Sequence, residues 1–397
     1  MQINFDKVKL LSYCKIIMGQ SPPSSTYNNG GDGLPFFQGK AEFTDLHPIP
    51  KKWCSKPKKV AEPNDILISV RAPVGATNIA NQKCCIGRGL AAIRYPDCPK
   101  YIFYYFRLIE KDLDKLGTGS TFKAISGNVL KNLEIPFPPL KIQHRIVEKI
   151  EELFSELENG VESLKKAKEQ IGLYKQSVLR AAFRGELVDG NRKSEIGNQK
   201  RVGEIMKAAE PGGEYEVDGL PEGWKWVKFI DFCKLQRGYD LPLKKIVEGE
   251  YPVVTSGGVN GYHNEYKAKG PCLVTGRSGG VGNIHYLDID YYWPHNTVLY
   301  VKDFCGNFPK FVYYFFLQFS FKFYSSSTAI PTLDRKKLYD VLVKVPPYSE
   351  QVKIVAEIER RFSEAEHLEK SIDEGLAKAE ALRQSILKQA FEGRLVS

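Results

Sequence analysis

Apolar residues recur at steps of three and four along two long stretches of the chain. In the first, Ile146, Ile150, Leu153, Leu157, Val161, Leu164, Ile171, Tyr174, Val178 and Ala181 fall on one stripe. In the second, Ile354, Ile358, Ala365, Leu368, Ile372, Leu376, Ala379, Leu382, Ile386 and Ala390 do the same. That period predicts helices with one face to bury. Each run continues for about 45 residues without an internal proline, roughly 65 Å at the helical rise. This is far longer than an ordinary helix and suits a coiled coil. Gly160, Gly172 and Gly375 lower helix propensity without forbidding the helix. The stripes can pack on each other as an antiparallel pair, or each helix can lie across its own globular domain.

The two stretches are copies of one another. At a constant offset of 208 residues, Pro138, Pro139, Gln143, Ile146, Ile150 and Phe154 match Pro346, Pro347, Gln351, Ile354, Ile358 and Phe362. At the far end Gln176, Ser177, Leu179, Ala182, Phe183, Gly185, Leu187 and Val188 match Gln384, Ser385, Leu387, Ala390, Phe391, Gly393, Leu395 and Val396. A repeat of half the chain implies duplication and two similar modules about a pseudo-two-fold axis.

The segments between the helices alternate short apolar runs with turn residues. Residues 1–137 contain Val8-Lys9-Leu10, a turn-rich run from Gly19 to Gly33, and Ile66-Leu67-Ile68-Ser69-Val70 as a buried strand. An aromatic helix-compatible run, Tyr101 to Ile109, and a polar loop from Gly117 to Thr121 follow. Residues 189–220 form a polar, glycine-rich connector with a possible short helix over 202–209. Residues 221–345 repeat the landmarks of the first unit. Val227 to Gly238 follows Val8 to Gly19, Leu273 to Arg277 follows Leu67 to Arg71, and Phe311 to Phe321 takes the place of the first aromatic run. The expected organisation is therefore mixed α/β (α+β): globular domains over 1–137 and 221–345, long helices over 138–188 and 346–397, and a connector between.

A chain of 397 residues with 42% hydrophobic and 12% aromatic residues can build packed cores. A formal charge of +10 suits a polyanionic partner, although many proteins merely carry a basic surface. The eight scattered cysteines suit a reducing interior, and no stretch is long and apolar enough to cross a membrane. A cytoplasmic location is expected.

No catalytic constellation stands out. The Gly276 to Gly282 run (GRSGGVG) lacks the ending of a nucleoside-triphosphate loop and the spacing of a dinucleotide fingerprint, and reads first as a tight turn. Val345-Pro346-Pro347-Tyr348 resembles the Pro-Pro-Tyr corner of amino-methyltransferases. Phe137-Pro138-Pro139-Leu140 fills the same place without the tyrosine, so a helix-initiating hinge is the better reading. Cys84-Cys85 and the histidines His263, His285 and His295 lack metal-ligand spacing, and no metal is expected. The candidate DNA surface is diffuse: Lys40, Lys51, Lys52, Trp53, Lys56, Lys58, Lys59 and Arg71 in the first unit, with Arg237, Lys244, Lys245, Lys267, Lys269 and Arg277 in the second. Gln20, Asn28, Gln38, Gln236, Asn260 and His263 are candidate base readers on chemical grounds alone.

Together the duplicated Pro-Pro-x-x-x-Gln-x-x-Ile start, the duplicated Gln-Ser-(Val/Ile)-Leu-(Arg/Lys)-x-Ala-Phe-x-Gly-x-Leu end and Leu220-Pro221-x-Gly223-Trp224 resemble the specificity subunit of Type I restriction-modification systems. Asp65-Ile66-Leu67-Ile68-Ser69 and Val74-Gly75 resemble the partly shared strand of that family's target-recognition domains. Ile142 departs from the pattern, since the second copy has the usual glutamate as Glu350. The resemblance implies two target-recognition domains that each read half of a bipartite, asymmetric site in double-stranded DNA, with antiparallel helices fixing the spacer. It also implies two modification (methyltransferase) subunits and ATP-dependent restriction subunits as partners. S-adenosylmethionine, ATP and Mg2+ would belong to those partners, with no cofactor and no catalysis in this chain. Gln143, Ile146, Ile150, Phe154, Gln176, Phe183, Gln351, Ile354, Ile358, Phe362, Gln384 and Phe391 are the expected helix-repeat and subunit-interface positions. The alternative is a coiled-coil adaptor that bridges proteins without DNA specificity.

Overall fold

The computed structural model describes residues 5–117, 123–188, 220–326 and 331–396. Most of the connector, including the helix expected over 202–209, and residues 118–121 of the polar loop lie outside the described residues.

Both expected long helices form, Leu140–Ala182 with 43 residues and Tyr348–Phe391 with 44. The proline pair opens each: the Gln143 and Gln351 N–H groups close the first turn on the Pro139 and Pro347 carbonyls. Their side-chain amides reach back to the Pro138 carbonyl at 2.9 Å and the Pro346 carbonyl at 3.1 Å. A glycine past each end, Gly185 and Gly393, has φ of 76° and 71°, the left-handed conformation that stops a helix without a Cβ penalty.

The chain divides into two units, Met1–Lys166 with Ile372–Ser397, and Ala167–Ser371. Each helix thus contributes its two ends to different units. In unit 1 the start of the first helix (Ile146, Ile150, Phe154) and the end of the second (Ile386, Leu387, Ala390, Phe391) share one core with the sheet and aromatic helix. In unit 2 the corresponding ends, Ile354 and Ile358 with Val178, Leu179, Ala182 and Phe183, do the same. The helices therefore satisfy both packing options at once: each lies across a globular domain and also meets the other helix. Within each unit the two segments run antiparallel. Leu164 faces Gly375, where an added Cβ would come within 3.2 Å of Leu164 Cδ1, while Arg383 lies over the Phe154 ring at 5.6 Å. In unit 2 Lys175 bonds Glu369 at 2.7 Å and lies over the Phe362 ring at 5.9 Å.

The globular parts are built alike. A four-stranded sheet in unit 1 runs Lys15–Met18, Leu90–Arg94, Ile66–Ser69, Thr77–Ile79; its counterpart runs Lys234–Arg237, Val298–Asp303, Cys272–Gly276, Ile284–Leu287. One face of each sheet packs on the aromatic helix, Pro99–Leu108 or Pro309–Gln318. The other face packs on a smaller core, through Phe37, Leu67, Ile86 and Leu90 in unit 1 and Val254, Val274, Tyr292 and Val298 in unit 2. The fully buried Ile66, Leu67 and Ile68 follow from a strand covered on both sides. The ring contacts that lock helix to domain also repeat. Tyr104 meets Phe154 at 5.8 Å and 88°, and Tyr314 meets Phe362 at 5.9 Å and 88°. Phe391 sits 5.0 Å from Tyr101, and Phe183 sits 5.1 Å from Phe311.

The Ile142 departure has a local compensation. Glu350 accepts a hydrogen bond from the Trp224 indole at 2.9 Å, whereas Phe5 and Ile142 both pack against the unit 1 core. Two apolar residues of the unit 1 core stand where the other copy has a hydrogen-bonded pair.

Candidate nucleic-acid interface

Loops at the ends of the central strands bring some of the polar candidates together, and one backbone pattern builds both loop clusters. In unit 1, Gly19 N–H donates to Leu90 O at 2.9 Å, Gln20 N–H to Ile86 O at 3.0 Å, Gly87 N–H to Phe37 O at 2.8 Å and Leu90 N–H to Gly87 O at 3.0 Å. In unit 2, Gly238 donates to Val298 O at 3.1 Å, Tyr239 to Pro294 O at 2.8 Å, His295 to Val254 O at 2.8 Å and Val298 to His295 O at 3.1 Å. Glycine is required at the crossing point: a Cβ on Gly19 would overlap the Gly87 carbonyl, and one on Gly238 the His295 carbonyl.

In unit 1 this places Gln20, Gln38 and the Gly87-Arg88-Gly89 turn side by side. A Cβ on Gly87 would come within 3.3 Å of Gln38 Cγ, and one on Gly89 would overlap the Gln38 carbonyl. Arg71 adjoins them, since Val70 N–H bonds Gly89 O at 2.9 Å. Gln20, Gln38, Lys40, Arg71 and Arg88 are all exposed. Lys51, Lys52, Lys56, Lys58 and Lys59 are exposed along the flank of the smaller sheet. Trp53 is half-buried there, on a strand that pairs with Asn28 and Pro35.

In unit 2 the cluster holds Arg237, Asp240, Arg277 and Asn296. The Asn296 carboxamide donates to Asp240 Oδ1, and the Arg237 guanidinium stands 3.9 Å from Asp240 Oδ2. Arg277 is half-buried and donates through Nε to the Asn296 carbonyl at 3.2 Å. Burial and the Arg237 charge hold its pKa below the usual guanidinium value. Burial likewise holds the His295 imidazole below its ordinary value. The Gln236 amide donates to Tyr239 OH at 3.1 Å, so it supports the loop. Lys244 and Asn260 are exposed on neighbouring segments.

Two groups of expectations are corrected. His263, expected among the base readers, is 5% exposed; its Nδ1 accepts from Val247 N–H at 3.2 Å and its ring meets Trp293 at 5.0 Å. It ends a strand with its side chain facing inward, where it pins a loop. Gln143, Ile146, Ile150, Phe154, Phe183, Gln351, Ile354, Ile358 and Phe391, expected as helix-repeat and subunit-interface positions, lie buried in the chain's own units and hold helix to domain, so it is the chain itself that covers these side chains. Phe362 and Gln384 are half-buried, and Gln176 is exposed.

Ser21, Arg88, Asp240 and Asn296 were not among the expected site residues. The offset of 208 that aligns the proline pairs also sets Arg88 opposite Asn296 when carried backwards, and the offset of 219 that relates Val8 to Val227 sets Ser21 opposite Asp240. No identity marks the stretch, since CCIGRGL stands against YWPHNTV.

Among the described residues no group of three or more His, Cys, Asp or Glu could hold a metal ion. Burial pushes the Cys84 thiol up to about 12 and the Cys85 thiol up to about 11, so neither supplies a thiolate at neutral pH. No helix of the described residues is long and apolar enough to cross a membrane.

The family model for the Type I restriction modification DNA specificity domain matches residues 2–166 and 221–377. The putative type I restriction enzyme MjaX specificity subunit of Methanocaldococcus jannaschii is 45% identical over 178 residues, which cover 44% of this chain and 41% of the relative's length. The type I restriction enzyme EcoBI specificity subunit of Escherichia coli is 23% identical over 98% of this chain and 86% of its own. A chain solved in work on complex assembly and conformational transition of the type I R-M system shares the fold at a TM-score of 0.75, with 19% identity and 98% of both chains covered. A match that takes in both globular domains and much of both long helices makes the conclusion direct: the chain belongs to the Type I restriction-modification DNA specificity family.

Proposed function

We propose that the chain is the address-bearing subunit of a Type I restriction-modification assembly, which binds double-stranded DNA at a bipartite, asymmetric site. Each unit reads one half-site through its loop cluster. The long helices, shared by both units, set the spacer between halves. The observation that carries this reading is the pair of loop clusters: one backbone scaffold ends in different polar side chains, Gln20, Gln38 and Arg88 in one, Arg237, Asp240 and Asn296 in the other. Such groups match base edges in the major groove, while Lys51, Lys52, Lys56 and Lys58 are placed for phosphate attraction.

Chemistry in this reading belongs to the partners. Two modification subunits bring S-adenosylmethionine and adenine methylation, and restriction subunits bring ATP and Mg2+. DNA as the target puts the assembly in the cytoplasm. The test is adenine-methylation sequencing of DNA from a methylation-free host that expresses this chain with its modification subunit, beside each subunit alone. A bipartite motif only when both are present is the expected result. A stable complex that leaves no motif would favour a bridging adaptor and overturn the reading.

A further inference from the structure

The repeated hydrogen bonds put residues 21 and 88 of unit 1 in the same structural positions as residues 240 and 296 of unit 2. In both units these positions touch each other. The Arg88 N–H donates to Ser21 Oγ at 3.2 Å, and the Asn296 carboxamide donates to Asp240 Oδ1. Their chemistry differs, one led by donors and the other by acceptors. Arg88 is exposed on a turn squeezed between two glycines, and its guanidinium has no hydrogen-bond or ion-pair partner among the described residues. It offers only donors. In unit 2 one hydrogen of the Asn296 carboxamide is committed to Asp240, which leaves Asp240 Oδ2 and Asn296 Oδ1 as acceptors beside the second amide hydrogen, and Asp240 is 68% exposed. Arg237 and Arg277 hold this pair from either side, at Asp240 Oδ2 and the Asn296 carbonyl.

We propose that these equivalent pairs set base identity at one corresponding position of each half-site. Arg88 selects the paired acceptors that guanine presents in the major groove. Asp240 with Asn296 selects an exocyclic amino group, as on adenine or cytosine. Ser21 is a positioning residue that holds the Arg88 backbone. The inference rests on the reading that each unit binds one half-site.

The test uses the full chain with its modification subunit in a methylation-free host, with methylated fraction scored by site sequence. Arg88→Ala should relax one position of one half-site, with preference for guanine there falling about tenfold or more. Asp240→Asn keeps an oxygen for Asn296 but replaces the second acceptor with a donor. It should lower the preference for the amino-bearing base at one position of the other half-site by a similar factor, and the unsubstituted motif names that base as adenine or cytosine. All other positions and the spacer should stay unchanged. Unaltered motifs in both variants would overturn the proposal, as would equal loss at every position in an assembled complex, which marks a backbone contact. Should Arg88→Ala fail to co-purify with its partner, Arg88→Lys keeps the charge without the bidentate fork and should relax the same position. An unsubstituted complex that yields no bipartite motif overturns the proposed function, a result distinct from an unchanged motif in the variants.

Discussion

The two loop clusters and the two helix–domain junctions within the units teach opposite lessons. At the junctions, geometry and residue types recur together: Tyr104 on Phe154 and Tyr314 on Phe362 differ by 0.1 Å in ring separation, at 5.8 and 5.9 Å. Lys100–Glu151 and Lys310–Glu359 ion pairs recur at 2.6 and 2.7 Å. At the loop clusters the backbone recurs while the side chains change completely, with Arg88 against Asn296, Ser21 against Asp240, and Gln20 against Tyr239. Packing restrains the first region, since a buried ring must fill a fixed space. The scaffold restrains the second region less, because Gln20, Arg88 and Asp240 are exposed on loops held by their own backbone and can change at little cost to the fold. A duplicated protein is thereby free to address two different ligands from one design.

The comparison can be broken first at the junctions. Phe183→Ala and Phe391→Ala remove matching rings, and each should cost about 3–5 kcal/mol in chemical denaturation of the full chain. A loss at only one of them would show that the two junctions are unlike in energy despite their shared geometry. Next come Gly19→Ala and Gly238→Ala, which force a Cβ into a neighbouring carbonyl. Each should destabilise its own unit by about 1–3 kcal/mol. Parent-like stability in either would mean that the crossing backbone has room the shared pattern denies.

A finer test concerns the one corner where the junctions differ. Trp224→Phe removes the indole donor from Glu350 and should cost about 1–2 kcal/mol, since a carboxylate loses its partner. Adding Glu350→Ile to Trp224→Phe rebuilds the residue types of Phe5 and Ile142, and should recover most of that loss. A double variant as weak as the sum of the singles would refute the compensation. The smallest effect is expected at Glu357, whose carboxyl is held down to about 2, chiefly by hydrogen bonds from Arg360. Its folded pKa lies below the ordinary carboxylate value. Its contribution is therefore complete above about pH 4.5 and fades as pH falls towards 2. Because the pair is largely on the surface, Glu357→Gln should shift stability by about 0.5 kcal/mol or less at pH 7. A larger loss would show that the ion pair is shielded from solvent.

How much was legible in the sequence follows the same division. The helices were legible because their apolar spacing is local and their ends are marked by Pro138-Pro139, Pro346-Pro347, Gly185 and Gly393. The central strand over Ile66–Ser69 was legible because both of its faces are apolar. The loop clusters were only partly legible, since a polar residue in a turn-rich stretch can face either way. His263 ends a strand and points inward; Gln236 supports Tyr239; Arg277 braces the Asn296 carbonyl while facing the cluster. Arg88 and Asn296 went unseen because only the repeat offset links them in sequence, with no shared side chain to announce it. The buried interface candidates failed for a related reason. Most identities between the repeats mark what the chain packs upon itself, although Gln176 is exposed.

The central claim is that both units are one device carrying different readers. The most direct measurement replaces residues 221–345 with a second copy of 5–137, keeps both long helices, and sequences adenine methylation in a host with the modification subunit. Two half-sites of the same sequence, matching one half of the parent motif, are the predicted result. An assembled complex that leaves no motif, or a motif whose halves still differ, would contradict it.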